Sequence, residues 1–222
     1  MKILLIAGHG QGDPGAVANG YKEADLTREV VKLLKPQLDN YADVTVADAS
    51  RNLYTAVKNG EPFDFSEYDY VLEIHFNAGV NDSKGNNGTT GTEIYITTSE
   101  KTHGVETEIA RGISNIGFKN RGVKRKNWTV IQRAKAQGVS SALLEVCFID
   151  DADDMWLYKN KKSDIVKAIA NGIIKGFRLE PKELDDITII KNKIGLADET
   201  IKYLQNYKFG SELIRKIANA VK

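Results

Sequence analysis

Ser141-Ala142-Leu143-Leu144-Glu145-Val146-Cys147-Phe148-Ile149 is the stretch on which the fold turns. From Ala142 to Ile149 it is apolar on both faces apart from one glutamate, as expected of a strand covered from both sides at the centre of a parallel sheet. Ile3–Ala7 reads the same way and runs into a Gly-rich loop. Residues 69–76 (DYVLEIHF) make another strand, and residues 43–48 (DVTVAD) and 92–98 (TEIYITT) alternate as strands do.

Helical spacing fills the intervals. Leu26, Val30, Leu33, Leu34 and Leu38 follow a start near Glu23, with Pro36 disturbing the last turn. Residues 103–116, Asp151–Tyr158 and Ser163–Phe177 read as further helices. A Gly- and Asn-rich loop is expected at 79–91, a basic loop after residue 116, and a short strand around Val130. Alternating strands and helices predict an α/β domain with a mostly parallel sheet flanked by helices.

The pattern changes near Leu179-Glu180-Pro181. Residues 1–178 read as one domain, and residues 182–222 as a small all-helical piece punctuated by Gly195 and Gly210. Its apolar faces are Leu184, Ile187, Ile190 and Ile194; Ile201, Leu204 and Tyr207; and Leu213, Ile214, Ile217 and Val221. A segment of about 40 residues sits near the lower limit for independent folding, so it is expected to lean on the first domain or on a copy of itself.

The chain has 222 residues, 41% hydrophobic and 27% charged, an ordinary soluble composition. Thirty-one basic against thirty acidic residues leave +1 and no long run of like charge, which argues against a nucleic-acid footprint. The local cluster Lys119–Lys126 (KNRGVKRK) reads as a solvated surface loop. The single cysteine, Cys147, excludes an intrachain disulfide and a Cys-rich zinc ribbon, and its apolar setting predicts a buried core thiol. No apolar stretch approaches the ~20 residues of a membrane span. Met1–Ala7 superficially resembles a signal peptide. Its apolar core is too short and Gly8-His9-Gly10 follows at once, so the chain is expected to carry no export signal of its own.

Gly10-Gln11-Gly12-Asp13-Pro14-Gly15 fits a G-x-G-x-x-G pattern, but Pro14 interrupts it and the helical pattern starts only near residue 23. A dinucleotide site needs the helix immediately and no aspartate against the phosphates. The histidines say more. Of three, His9 and His75 fall at strand ends, the edge where open α/β sheets bind ligands. Glu23 opens the first helix on that same side. It serves either as a partner of the helix dipole or as a third metal ligand, since two imidazoles and a carboxylate make a common catalytic zinc set. Glu145 interrupts an apolar strand, where a charge is expensive unless paired or put to use. Beside a metal site it would be a general base and then a general acid. Glu73 shares a strand face with His75, either supporting that histidine or competing with Glu145 for the catalytic role.

At these residues the chain resembles the zinc-dependent N-acetylmuramoyl-L-alanine amidases of the bacterial cell-wall hydrolase type, over roughly residues 2–178. The resemblance lies in Ala7-Gly8-His9-Gly10 with Asp13-Pro14-Gly15-Ala16, in Glu23, and in Ile74-His75-Phe76-Asn77-Ala78. It continues through Gly91-Thr92-Glu93, Asn120-Arg121-Gly122-Val123 and Leu144–Ile149 with Asp153 or Asp154 soon after. Two segments depart from the family pattern: Asp48-Ala49-Ser50-Arg51 replaces a common Thr-Arg pair, and Cys147 stands where glycine is common.

The resemblance implies a zinc ion on His9, Glu23 and His75, with Glu145 catalytic and Glu73 supporting. Asn77 would contact substrate or position a ligand. It implies peptidoglycan as partner and the bond between N-acetylmuramic acid and L-alanine as target. A wall-cutting enzyme without an export signal resembles a phage or prophage endolysin, held in the host cytoplasm before lysis; a non-classically released autolysin is the alternative. Residues 182–222 would then serve wall targeting or homo-oligomerisation, or simply pack on the catalytic domain. The rivals are another zinc peptidase or amidohydrolase, a non-catalytic cell-wall-binding protein, and a nucleotide-binding protein.

Overall fold

The computed structural model describes residues 1–182 and 186–221. In chain order the first unit comprises β1 (Lys2–Ala7), β2 (Val17–Ala18), β3 (Tyr21–Lys22), α1 (Glu23–Leu38), β4 (Asp43–Val46), α2 (Leu53–Lys58) and β5 (Tyr70–Asn77). It continues with β6 (Thr92–Ile96), α3 (Gly104–Ser114), β7 (Asn120–Arg125), α4 (Thr129–Ala136), β8 (Ser140–Phe148) and α5 (Ala152–Phe177). Six strands form one sheet in the order β4-β1-β5-β8-β6-β7, with β2 and β3 a separate small hairpin. Every neighbouring pair in the large sheet is parallel except β6 against β8. The expected α/β architecture with a mostly parallel, helix-flanked sheet is what the chain forms.

Strand parity separates two cores. Ile3 and Leu5 of β1, Leu72 and Ile74 of β5, and Ala142 and Leu144 of β8 face α1, α3 and α5. The alternate residues Leu4, Ile6 and Val71 face Leu53 of α2 and Val130 and Ala134 of α4. Those two helices are short, with six and eight residues. They cover only the lower part of their face, so the residues following Val71 on that face, Glu73, His75 and Asn77, border a cleft instead of a core.

Two expectations fail. The basic segment is not a loop: Asn120–Arg125 is the edge strand β7, paired parallel with β6. Its apolar alternation is hidden because Arg121 and Lys124 point inward to a buried carboxylate, Glu93. Around Val130 the chain is helical, since Val130, Ile131 and Ala134 recur at helical spacing and are all buried in α4. The two helices expected over Asp151–Phe177 are both present, joined as α5 across a non-helical kink at Lys161.

The long loop before β6 is tied down by the acidic run that starts α5. Asp150 accepts from the Gly79 and Asn81 amides, and Asp153 from Asn86 and Gly88. Asp151 accepts from the Thr90 amide and hydroxyl while capping α5, and Asp154 accepts from Gly91 and Phe148. Oxygens of Asp82, Asp151 and Asp153 gather closely, and donors of this loop and of the α5 N-terminus engage all three carboxylates.

The second unit begins at Pro181. It holds α6 (Asp186–Ile194), α7 (Asp198–Asn206) and α8 (Gly210–Val221) around Ile189, Ile190, Ile201, Ile214 and Ala218. Leu184 lies outside the described residues. Ile194, Tyr207 and Leu213, expected on apolar faces, are exposed; the first two fall at helix ends, where the chain turns away. Among the described residues no helix is long and apolar enough to cross a membrane.

Candidate active site

The parallel register sets β1 beside β5, with Ala7 opposite Ile74, so the chain leaves the sheet at Gly8 next to His75. The Gly8 amide donates to the Ile74 carbonyl at 2.9 Å. A Cβ on Gly8 would sit 2.4 Å from His75 Cε1, so glycine is required for the imidazole to fit. His9 then adopts φ 63°, a left-handed backbone uncommon outside glycine and characteristic of functional sites. α1 holds this turn: Thr27 Oγ1 donates to the Gly8 carbonyl and Arg28 Nη2 to that of His9. The loop Gly10–Gly15 leads to the β2–β3 hairpin rather than to a helix, which removes the dinucleotide reading.

Glu23 is the first residue of α1 and is buried. The Ala16 amide donates to its Oε2 at 2.9 Å, which aims the carboxylate at both histidines. Its Oε2 is 3.0 Å from His9 Nε2 and its Oε1 2.8 Å from His75 Nδ1. The two imidazoles stand edge to face, 4.9 Å between centroids. Burial opposes ionisation of Glu23, but both histidines outweigh it and hold its carboxyl well below the usual range. Burial likewise disfavours imidazolium at His75 and His9, yet the surrounding carboxylates raise both pKa values.

Donor atoms of His9, Glu23 and His75 all lie within 4.8 Å of one another, close enough to hold one metal ion. The chemistry fits: two imidazoles and one carboxylate, open to a cleft on one side, match a three-ligand catalytic centre with a position left for water or substrate. Carboxylates orient the rings. Asp13 Oδ2 lies 2.9 Å from His9 Nδ1, leaving Nε2 toward Glu23. Glu73 Oε1 lies 3.3 Å from His75 Nε2.

Glu145 stands opposite His75 in the β5–β8 register. Its Oε2 is shut off from solvent and has no hydrogen-bond partner among the described residues. Burial, opposed by the charge of His75 and reinforced by Glu23, Glu93 and Glu73, pushes its carboxyl up to about 7. An unmatched buried oxygen beside such a donor set marks Glu145 as a candidate for proton transfer.

His9, Glu23, Glu73, His75, Asn77 and Glu145 all line a single cleft of about 370 Å³, with Trp128 and Tyr54 among its other walls. Asn77 is held on both sides: its Oδ1 accepts from the Ala78 amide and its Nδ2 donates to Glu93. His103 lies elsewhere, exposed at the start of α3 with its ring on Thr107.

Sequence reasoning gave no role to Asp13 or Glu93. Asp13 shows its role only once the loop folds it back on His9. Glu93, fully buried between Thr92 and Ile94, carries the same signal as Glu145, a charge inside an apolar strand.

The sequence matches the N-acetylmuramoyl-L-alanine amidase family (Amidase_3) over residues 3–175, and the chain belongs to that family. It is 30% identical to the N-acetylmuramoyl-L-alanine amidase CwlM of Bacillus licheniformis over 190 residues, covering 81% of this chain and 70% of that protein. It is 28% identical to the endolysin of Bacillus phage SPP1, covering 81% of this chain and 67% of the phage protein. Its fold is similar to the catalytic domain of CwlV, an N-acetylmuramoyl-L-alanine amidase from Bacillus (Paenibacillus) polymyxa var. colistinus. That likeness has a TM-score of 0.63 at 20% identity and covers 81% of this chain and 99% of the other.

Proposed function

We propose that this member of the N-acetylmuramoyl-L-alanine amidase family hydrolyses the amide between N-acetylmuramic acid and L-alanine in bacterial peptidoglycan, as a zinc enzyme. The observation that carries the reading is Glu145, whose carboxyl has one buried, unpartnered oxygen, in the wall of a cleft that also holds the His9–Glu23–His75 cluster. His9, Glu23 and His75 would hold the ion, with Asp13 and Glu73 fixing the two rings. When bound, the metal supplies Lewis-acid polarisation of the scissile carbonyl and acidification of water.

Glu145 moves the proton. Its carboxylate accepts one from the attacking water and returns it to the nitrogen of the departing L-alanine. A carboxyl poised near neutrality serves both halves of that transfer. A binding module has no need of such a group, which argues against the non-catalytic reading.

The similarity to a phage endolysin supports a role in host lysis, the protein waiting in the cytoplasm and acting on the wall once it gains access. Residues 182–222 would then be an appended helical module for wall targeting or self-association, its exposed Tyr203, Tyr207 and Phe209 offering contact surface.

The test is direct. Purified peptidoglycan is incubated with the protein, with the protein plus chelator, and with Glu145→Gln, and new ends are identified by mass spectrometry. New L-alanine amino termini from the metal-replete wild type alone are expected. Chelator-sensitive cleavage of another bond would move the assignment to a peptidase. Absence of cleavage across several wall types would favour a binding protein.

A further inference from the structure

The basic strand β7 remains outside this mechanism, although its side chains reach Glu93, the residue opposite Glu145 in the sheet. Because β6 runs antiparallel to β8 and β7 parallel to β6, the first residues of β6 and β7 lie at the edge where β8 ends. That arrangement brings Arg121 to the rim carrying Glu145. Arg121 Nε and Lys124 Nζ both donate to one oxygen, Glu93 Oε2, each at 2.5 Å. The other oxygen accepts from Asn77 Nδ2 and Tyr95 OH. Glu93 is thus saturated, with a side chain only 2% exposed, and has no capacity left for chemistry of its own.

A purely structural pair would match one carboxylate with one guanidinium in a two-pronged contact. Here two cations crowd a single oxygen and repel each other. Arg121 lays its plane on Phe148, 4.9 Å from the ring centre, and uses only Nε. The two terminal nitrogens find no acceptor among the described residues, and both cations remain about one-third exposed, at 30% and 37%. The outer edge of a guanidinium is the fork that grips a carboxylate. Further along, Lys126 stacks on Trp128, which lines the cleft, so a third cation lies beside its rim.

We infer that Arg121 and Lys124 form a subsite for a carboxylate on the peptide stem of the substrate, with Glu93 as the positioning residue that presents them. The inference rests on the amidase reading above and adds what it lacks, a determinant for the peptide side. The carboxylate concerned is the α-carboxylate of the second, glutamyl residue of the stem, which peptidoglycans carry either free or amidated.

The test uses two muramoyl tripeptides, identical except that this carboxylate is free in one and amidated in the other. Arg121→Gln in the zinc-loaded protein is expected to lower kcat/KM for the free acid roughly tenfold more than for the amide, through KM. Arg121→Lys should lose part of that selectivity, and Glu93→Gln most of it with Arg121 still present. Equal losses on both substrates, or a wild type indifferent to amidation, would overturn the subsite while leaving the amidase intact. If wild type cleaves neither substrate, the amidase reading fails on its own. The subsite is then judged by titrating the free L-alanyl-D-γ-glutamyl-L-lysine tripeptide and its α-amide while following the Arg121 Nε–H resonance. A shift confined to the acid supports the subsite, and identical responses overturn it.

Discussion

Glu145 of β8 and Glu93 of β6 stand directly opposite each other across the one antiparallel pair of the sheet, two carboxylates on the same face with opposite electrostatic fates. Burial would raise both. At Glu93, Lys124 and Arg121 overcome burial and hold the carboxyl below its ordinary range. Glu145 has no such partner and is pushed up to about 7. Neighbouring carboxylates driven apart in this way are what the proposed proton transfer by Glu145 requires, one held as an anion and the other able to hold a proton near neutrality.

The metal-free protein should report this as a pH-dependent stability. A carboxyl near 4.5 when unfolded and near 7 when folded binds its proton more tightly in the native state. Its contribution is fully present below pH ~4.5 and lost as pH rises through ~7. Glu145→Gln has no proton to lose. Denaturation of the metal-free proteins should therefore show the variant gaining on wild type between pH 5 and 8, by on the order of 2–3 kcal/mol. Parallel stability curves would show that Glu145 ionises as an ordinary carboxylate.

Gly8→Ala tests the packing of the second histidine. The added methyl would fall within 2.7 Å of three atoms of the His75 ring, while nothing in the Gly8 backbone forbids alanine. The ring must yield, so zinc affinity by calorimetry should fall at least ~10-fold with the far-ultraviolet spectrum unchanged. Undiminished affinity would mean that His75 can move without consequence for the site.

Much of this architecture was legible because its central strands are buried on both faces. Ile3–Ala7 and Ser141–Ile149 read as strands from hydrophobicity alone. β7 was not legible: the residues it turns toward its neighbour strand, Arg121 and Lys124, are charged, and only the tertiary partner Glu93 accounts for them there. α4 escaped because eight residues give little more than two turns of periodicity. In the site, His9 and His75 stood out by falling at strand ends and Glu145 by interrupting an apolar run. Glu73 and Glu145 looked alike in sequence, since each is a lone charge in such a run. What distinguishes them is partnership: one oxygen of Glu73 lies 3.3 Å from His75, whereas Glu145 Oε2 meets nothing. Asp13 was invisible for a related reason, because its role depends on a turn that only the left-handed His9 backbone allows.

If His9, Glu23 and His75 hold zinc as proposed, Asp13→Ala should weaken its binding by about 10–100-fold while sparing global stability. Asp13 is partly exposed and its tie to His9 Nδ1 fixes which ring nitrogen faces Glu23. Losing it frees the imidazole to flip. Competition titration against a coloured chelator measures the effect, and an affinity within twofold of wild type would remove Asp13 from the support of the site.

Asp154→Asn probes the frame that sets the site's far wall. Asp154 is completely buried and takes the amides of Gly91, at the start of β6, and Phe148, at the end of β8. Burial raises its carboxyl to about 6 against the pull of those amides, so even the neutral acid is tolerated there. Both amides reach Oδ2, and that of Gly91 also lies 3.1 Å from Oδ1, so an asparagine oxygen in the Oδ2 place sets its NH₂ against the Gly91 amide. That contact of donor against donor costs about 1–3 kcal/mol. Hydrogen exchange should quicken first at Gly91 and Phe148, and amidase activity should fall because Glu93 and Glu145 hang from these two strand ends. Unaltered protection at both amides would show that the strand ends are held from elsewhere.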